Sequence, residues 1–149
     1  MKRILFVSFC PRRSNTTGIT GKLIDSLAGL DRTKYEIDLL DTNFFEAGHK
    51  AEDFKVVRYY SLPNKKSASL IRKVPFIRSR YAASLAVKTF RTVIEGTKYD
   101  LVAIYHIPEY ADRIVKICNN FGVKVLMYPW GGDILCCTGY AKRHIQKAF

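Results

Sequence analysis

The chain has 149 residues, 48% of them hydrophobic, and a formal net charge of +12 at pH 7. A chain of this size buries one core, which excludes a pair of complete Rossmann domains. Its apolar runs are all shorter than the roughly 18 residues of a membrane span, and Lys2-Arg3 leads into a strand pattern rather than a signal peptide. We therefore expect one cytosolic or membrane-peripheral domain with free cysteine thiols.

The first strand and helix are marked by a change of periodicity. Residues 4–9 (ILFVSF) are apolar except for Ser8 and predict a buried β-strand. Apolar residues then recur at helical spacing between residues 19 and 30, after Gly18 and with Gly29 near the end. This order predicts the first crossover of an α/β sheet.

The next elements have weaker patterns. Residues 35–40 (YEIDLL) alternate and predict a second strand that is less buried than the first. Residues 41–53 are polar and predict a loop, and residues 54–62 (FKVVRYYSL) predict a third strand that Pro63 closes. Pro75 is expected to break or begin a helix.

A long basic stretch follows the second strand. Residues 54–94 contain no Asp or Glu and ten Lys or Arg, with apolar residues interleaved among the cations. This composition is typical of a segment that lies on an anionic surface, such as bilayer phospholipid, with its apolar side inserted. The alternative is a solvated basic face whose apolar residues belong to the core. The cations that we assign to the membrane surface are Lys65, Lys66, Arg72, Lys73, Arg78 and Arg80.

The second half alternates more clearly. Residues 85–94 form an apolar helical stripe that Gly96 ends. Residues 101–107 (LVAIYHI) predict a continuous apolar strand, and Pro108 is expected to open the next helix. Residues 123–128 (VKVLMY) predict another buried strand.

Continuous apolar strands joined by helices predict a parallel sheet with helices on both faces. The expected fold is therefore a single Rossmann-like, doubly wound α/β domain over residues 1–149. A further helical pattern at residues 140–149 suggests that this domain is incomplete. The carboxyl ends of the strands should converge, so that Gly18, His106 and Asp133 border one cleft.

Three segments carry a family resemblance: KRILFVSFCPRRSNTTGITGKLIDSL, YDLVAIYHI and VKVLMYPWGGDIL. In this order they resemble the N-terminal domain of family 4 retaining glycosyltransferases, which have the GT-B architecture of two Rossmann-like halves facing a cleft. The resemblance implies that this half binds the acceptor. It also implies a missing C-terminal domain that binds the nucleotide sugar and carries a paired-glutamate motif. This chain alone is then inactive, and neither a cofactor nor a metal is expected.

The loop after the first strand is a candidate phosphate site. Gly18 and Gly21 flank the start of the first helix, where backbone N–H groups favour an anion, and Arg12 and Arg13 precede it. In the family such a loop touches the donor diphosphate or the acceptor. The alternatives are an ordinary βα turn and two solvated arginines.

The candidate acceptor residues follow the last two strands. His106 resembles the histidine that often closes this strand in the family and faces the acceptor, although a structural histidine is the alternative. Gly131, Gly132 and Asp133 match the family's His-Gly-x-Asp pattern, with Trp130 in the place of its histidine. Indole does not titrate, so Trp130 would stack on a sugar or fill the core. Asp133 would contact the ligand or cap the next turn.

These residues predict the acceptor-binding domain of a glycosyltransferase, cytoplasmic and peripheral at the inner face of the membrane. It would move sugar from a nucleotide sugar to a lipid-linked or polysaccharide acceptor. One rival is a stand-alone nucleotide- or phosphate-binding module of the flavodoxin type. The other is a basic nucleic-acid-binding protein, and we rank nucleic acid last because the cations match no nucleic-acid motif.

Overall fold

The computed structural model describes residues 1–10, 18–43, 49–63 and 75–129. These residues form a five-stranded, fully parallel sheet with strand order β3-β2-β1-β4-β5. The strands are β1 (Lys2–Ser8), β2 (Tyr35–Asp41), β3 (Arg58–Ser61), β4 (Leu101–Tyr105) and β5 (Lys124–Tyr128). The helices are α1 (Gly18–Ala28), α2 (Ala51–Phe54), α3 (Pro75–Gly96) and α4 (Ala111–Asn120). The predicted Rossmann-like α/β fold is confirmed.

Two cores lie on opposite faces of the sheet, because successive side chains of a strand point in opposite directions. In β1, Leu5 and Val7 pack with α3 and α4, whereas Ile4 and Phe6 pack with α1. The continuous apolar run of β1 thus serves both faces at once. This is why a strand without alternation indicated helices on both sides of the sheet.

The chain changes direction between β1 and β4. It first winds outward from β1 to β2 and β3, and α3 then carries it back across the sheet to β4 on the other side of β1. The connections after β1 and β4 therefore leave the carboxyl edge in opposite directions. A crevice opens at such a switch point, where α/β proteins bind their ligands.

Burial corrects two sequence predictions. The second strand was expected to be less buried than the first, but residues 37–41 of β2 are fully buried, because β2 lies between β1 and β3. The last strand was expected to be buried, but β5 exposes 42% of Leu126 and 43% of Tyr128. In the described part of the sheet β5 is an edge strand, and only its other face packs against α4.

Local hydrogen bonds explain the shifted element boundaries. The predicted loop at residues 41–53 contains the start of α2. The Lys50 N–H donates to the Asp53 carboxylate at 2.7 Å and so stabilises the first turn of this helix. After α2, Lys55 adopts φ 52°, so β3 begins later than predicted. Pro108 does not open α4 directly, because the Ala111 N–H first closes a turn on the Pro108 carbonyl at 3.0 Å. Pro75 begins α3, in agreement with the prediction that it breaks or begins a helix.

Candidate functional site

A hollow of about 350 Å³ lies at the carboxyl edge of the sheet, at the switch point between β1 and β4. Its walls come from the loops after β1, β2 and β4 and from the first turns of α3. The lining residues are Phe9, Thr42, Arg78, Ser79, Ala82, Ala83, His106, Pro108, Glu109 and Tyr110. Concave sites of this size with a few convergent polar groups are typical of small-ligand binding. This hollow is the candidate acceptor site.

His106 has an unusual backbone conformation for a residue with a side chain. Its φ of 66° lies in the left-handed region, and its N–H donates to the Tyr128 carbonyl at 3.3 Å. Non-glycine residues in this region cost of order 1 kcal/mol and cluster at functional sites. The strained backbone lies where β4 ends, and the half-buried side chain lines the hollow.

Asp41 joins the chain segments that lead into two walls of the hollow, next to Phe9 and Thr42. Its carboxylate accepts hydrogen bonds from the Cys10 N–H at 3.0 Å, the Asn43 N–H at 2.8 Å and the Tyr59 hydroxyl at 2.6 Å. Cys10 follows β1, Asn43 follows β2, and Tyr59 belongs to β3. Burial raises the pKa of Asp41, although the three hydrogen bonds oppose that shift. The adjacent Thr42 is held in the wall of the hollow by the Ser8 carbonyl, which accepts from its N–H at 2.8 Å and from its hydroxyl at 3.2 Å.

The titratable groups near the hollow suit binding better than nucleophilic chemistry. Burial raises the pKa of the Tyr110 phenol, and the Thr42 hydroxyl opposes this shift less strongly. Tyr110 therefore stays protonated near neutral pH and can donate a hydrogen bond. Burial, and next the Asp41 charge, raise the pKa of Cys10, which leaves its thiol unreactive. Within the described ranges no group of three His, Cys, Asp or Glu side chains could hold a metal ion.

The predicted acceptor and phosphate residues are partly described. His106 lines the hollow, as predicted from its position at a strand end. Gly18 is the first residue of α1 and Gly21 is buried in the same helix, which begins at the carboxyl edge. The other predicted residues lie outside the described ranges and stay predictions: Arg12, Arg13, Trp130, Gly131, Gly132 and Asp133.

The predicted membrane-surface residues divide in the same way. Arg78 and Arg80 lie in the first turns of α3, where they line this hollow and its neighbour. The remaining predicted cations lie outside the described ranges: Lys65, Lys66, Arg72 and Lys73. Among the helices of the described segments, none combines the length and the apolar character that crossing a membrane requires.

Sequence reasoning missed most of the lining. Phe9 was assigned to the buried first strand, but it follows β1 and is 36% exposed in the hollow. Glu109 and Tyr110 were placed inside a helix, whereas they precede α4 and face the ligand space. The signal that could have found them is their position immediately after the fourth strand, because βα loops form the sites of such folds.

Comparison with known proteins supports the fold. No protein-family model matches the chain, and no curated protein matches it at a significant level. The chain is similar to two structures of the C-terminal domain of a hydrogenase from Pyrococcus furiosus, each 14% identical. One has a TM-score of 0.60 over 85% of this chain and 91% of that chain, and the other has 0.61 over 85% and 89%. At this identity the likeness concerns the fold alone.

Proposed function

We propose that this chain is the acceptor-binding domain of a retaining glycosyltransferase built from two Rossmann-like halves. The observation that carries the proposal is the hollow at the switch point, with strained His106 in its wall. The resemblance of three segments to family 4 glycosyltransferases points to the same chemistry. The full enzyme would transfer sugar from a nucleotide sugar to a lipid-linked or polysaccharide acceptor in the cytoplasm, at the membrane surface.

The hollow has the groups that a sugar ring requires. Phe9 and Tyr110 offer aromatic surface for the apolar face of the ring. Glu109 and His106 offer polar atoms for its hydroxyl groups. Trp130, the residue after the described segment that ends at Pro129, would add a third aromatic side chain that stacks on the sugar.

Transfer itself would require the donor half. In a closed cleft, protein dipoles and cations would stabilise the departing nucleoside diphosphate, while water is excluded from the reacting centre. The acceptor hydroxyl would then attack on the face from which the diphosphate leaves. The role of the present chain is to orient that hydroxyl, and we assign it no catalytic residue.

The start of α3 supports a location at the membrane. Ile77 is 52% exposed, and Arg78 and Arg80 lie beside it. An exposed apolar residue flanked by cations suits insertion between anionic headgroups. Because the same helix turns line the hollow, a docked domain would hold its acceptor site at the bilayer surface.

The strand order is that of dinucleotide-binding domains, so it favours the nucleotide-binding alternative but departs from the flavodoxin type that the sequence suggested. Such domains use a carboxylate near the end of the second strand to bind ribose. Here the carboxylate at that position, Asp41, is only 1% exposed and is bonded to Cys10, Asn43 and Tyr59. This engagement argues against the alternative, which tight binding of a free mononucleotide would support.

Replacing His106 with glycine tests the role of the imidazole in sugar binding separately from the effect of the backbone conformation on stability. Glycine adopts φ 66° without strain, which offsets the loss of the imidazole and its contacts, so we expect the free energy of unfolding of the H106G variant to stay within about 1 kcal/mol of that of the unmodified chain. Affinity for short-chain alkyl glycosides, measured by calorimetry below their micellar concentration, should fall at least about tenfold. Denaturant unfolding of the same samples gives the stability.

Lys55 provides the matched control. It has the other positive φ of a non-glycine residue in the described chain, at 52°, and it is exposed after α2. The Lys55→Gly variant should stay within the same range of stability and bind glycosides like the unmodified chain. Unchanged glycoside affinity in H106G would contradict the proposal.

A further inference from the structure

A second hollow, of about 330 Å³, adjoins the acceptor hollow. It lies between the second and third turns of α3 and the start of α4, and it shares Ala83, Glu109 and Tyr110 with the first hollow. Arg80 and Arg113 line only the second hollow, whereas Arg78 lines the first. The two hollows therefore adjoin along the three residues that they share.

Positive charge is concentrated around this junction. Arg78, Arg80 and Arg113 come from two helices that are far apart in the sequence. Among the described residues that line the two hollows, Glu109 is the one carboxylate. The summed formal charge of these lining side chains is therefore positive, and the side chains of Arg80 and Arg113 are exposed.

The start of α4 adds to this charge. Tyr110 and Arg113 place the first turn of α4 in the wall of the second hollow, whereas Arg80 and Ala83 come from the second and third turns of α3. The positive end of the α4 dipole and its first backbone N–H groups favour an anion there. Tyr110, at the cap position of α4, makes no side-chain hydrogen bond to the first turn. The guanidinium groups supply forked donors that fit phosphate oxygens in pairs.

We propose that the second hollow is a phosphate subsite, in which Arg80 and Arg113, with Arg78 at the junction, bind a phosphate ester of the acceptor. The acceptor is then a glycosyl phosphate, with its sugar beside His106 and its phosphate between α3 and α4. This inference rests on the proposed function, because the sugar part of the ligand is taken from it. Arg113 was not among the residues that the sequence assigned to any site, and Arg78 and Arg80 were assigned to the membrane surface.

Paired ligands test the subsite on the full chain. Calorimetric titration with glucose 1-phosphate and with methyl α-glucoside compares the same sugar with and without the phosphate. We expect glucose 1-phosphate to bind at least about tenfold more tightly, and Arg113→Gln to abolish that difference. Glutamine keeps the helix propensity of arginine, so this exposed position should tolerate the change.

Arg91 provides the control, since it is exposed on α3 and lines neither hollow. Arg91→Gln removes the same charge and should leave the preference for glucose 1-phosphate intact. Equal loss in R91Q and R113Q, or no loss in R113Q, would overturn the subsite. Methyl glucoside binding without a phosphate preference would overturn it while leaving the proposed function standing. Phosphate binding that depends on Arg113, without any glycoside binding, would support the subsite and refute the acceptor role.

A competition experiment distinguishes a phosphate of a lipid headgroup from a phosphate ester in solution. Vesicles of phosphatidylglycerol or of phosphatidylcholine are added to the complex with glucose 1-phosphate at high ionic strength, which suppresses general charge attraction. Displacement by phosphatidylglycerol alone, dependent on Arg113, supports a phosphate carried by a lipid headgroup. Lack of displacement supports a phosphate ester that reaches the subsite from solution.

Discussion

The Asp41→Ala variant will lose about 3 kcal/mol of unfolding free energy or more, measured by urea denaturation at pH 7. The substitution leaves the N–H groups of Cys10 and Asn43 and the hydroxyl of Tyr59 without their carboxylate acceptor. The two N–H groups are buried, and each unsatisfied buried donor costs about 1–3 kcal/mol. Because Cys10 and Asn43 follow β1 and β2 next to Phe9 and Thr42, these two walls of the first hollow should loosen as well.

Asparagine at the same position separates hydrogen bonding from charge. Its amide oxygen can still accept from a backbone N–H, so Asp41→Asn should stay within about 1 kcal/mol of the unmodified chain at pH 7. An Asp41→Ala loss no larger than that of Asp41→Asn would contradict the role of the carboxylate as the common acceptor.

The pH dependence of the same variants follows from the raised pKa of Asp41. Burial raises the pKa of Asp41 in the folded state above its ordinary value of 3.8, which applies to the unfolded state. At a pH between these two pKa values, the folded state holds a proton that the unfolded state has lost. The contribution of Asp41 is therefore most favourable below pH 3.8 and declines as the pH rises through the folded pKa. Asp41→Asn should remove this decline, which denaturation curves across acidic pH will measure.

The Tyr99→Phe variant will lose about 2–3 kcal/mol of unfolding free energy, the other large effect that we expect. The Tyr99 hydroxyl donates to Oδ2 of Asp38 at 2.7 Å, and Asp38 is fully buried in the middle of β2. The second carboxylate oxygen, Oδ1, has no hydrogen-bond partner in the described part of the chain. Removing the hydroxyl thus leaves a buried carboxylate without a donor, and hydrogen bonds to charged groups are stronger than average.

Tyr35→Phe is the matched control, because Tyr35 is half-buried at the start of β2 and its hydroxyl makes no recorded hydrogen bond to the described residues. It should change stability by no more than about 0.5 kcal/mol. In addition, Asp38→Asn should reduce the cost of Tyr99→Phe, because an amide needs less compensation than a charge. Equal effects of Tyr99→Phe and Tyr35→Phe would contradict a stabilising Tyr99–Asp38 bond.

The parts of the fold that local periodicity determines were predictable. Residues 4–7 of β1 and 101–105 of β4 have no polar residue that interrupts the run, which indicates two covered faces. Burial of β2 was not predictable in the same way, because Asp38 and Asp41 interrupt its apolar pattern. Their partners, Tyr99 and Tyr59, are distant in sequence, and only the folded chain brings the hydroxyl groups to the carboxylates.

The candidate site shows the same division between local and long-range information. His106 was predicted because a residue at the end of a strand lies at the carboxyl edge in any parallel sheet. Arg113 was missed, because its role depends on where α4 begins and on the approach of α3 to it. The left-handed conformation of His106 has no local signal either, since positive φ in a non-glycine residue reflects tertiary constraint.

The measurement that tests the account most directly is a chemical-shift map of the isotopically labelled chain during titration with methyl α-glucoside. Acceptor binding predicts saturable shifts at the backbone of Phe9, at the imidazole of His106 and at Glu109 and Tyr110, which line one hollow. Absence of shifts at His106 and Tyr110 would contradict it, most strongly if a mononucleotide instead perturbed Gly18 and Gly21 at the start of α1.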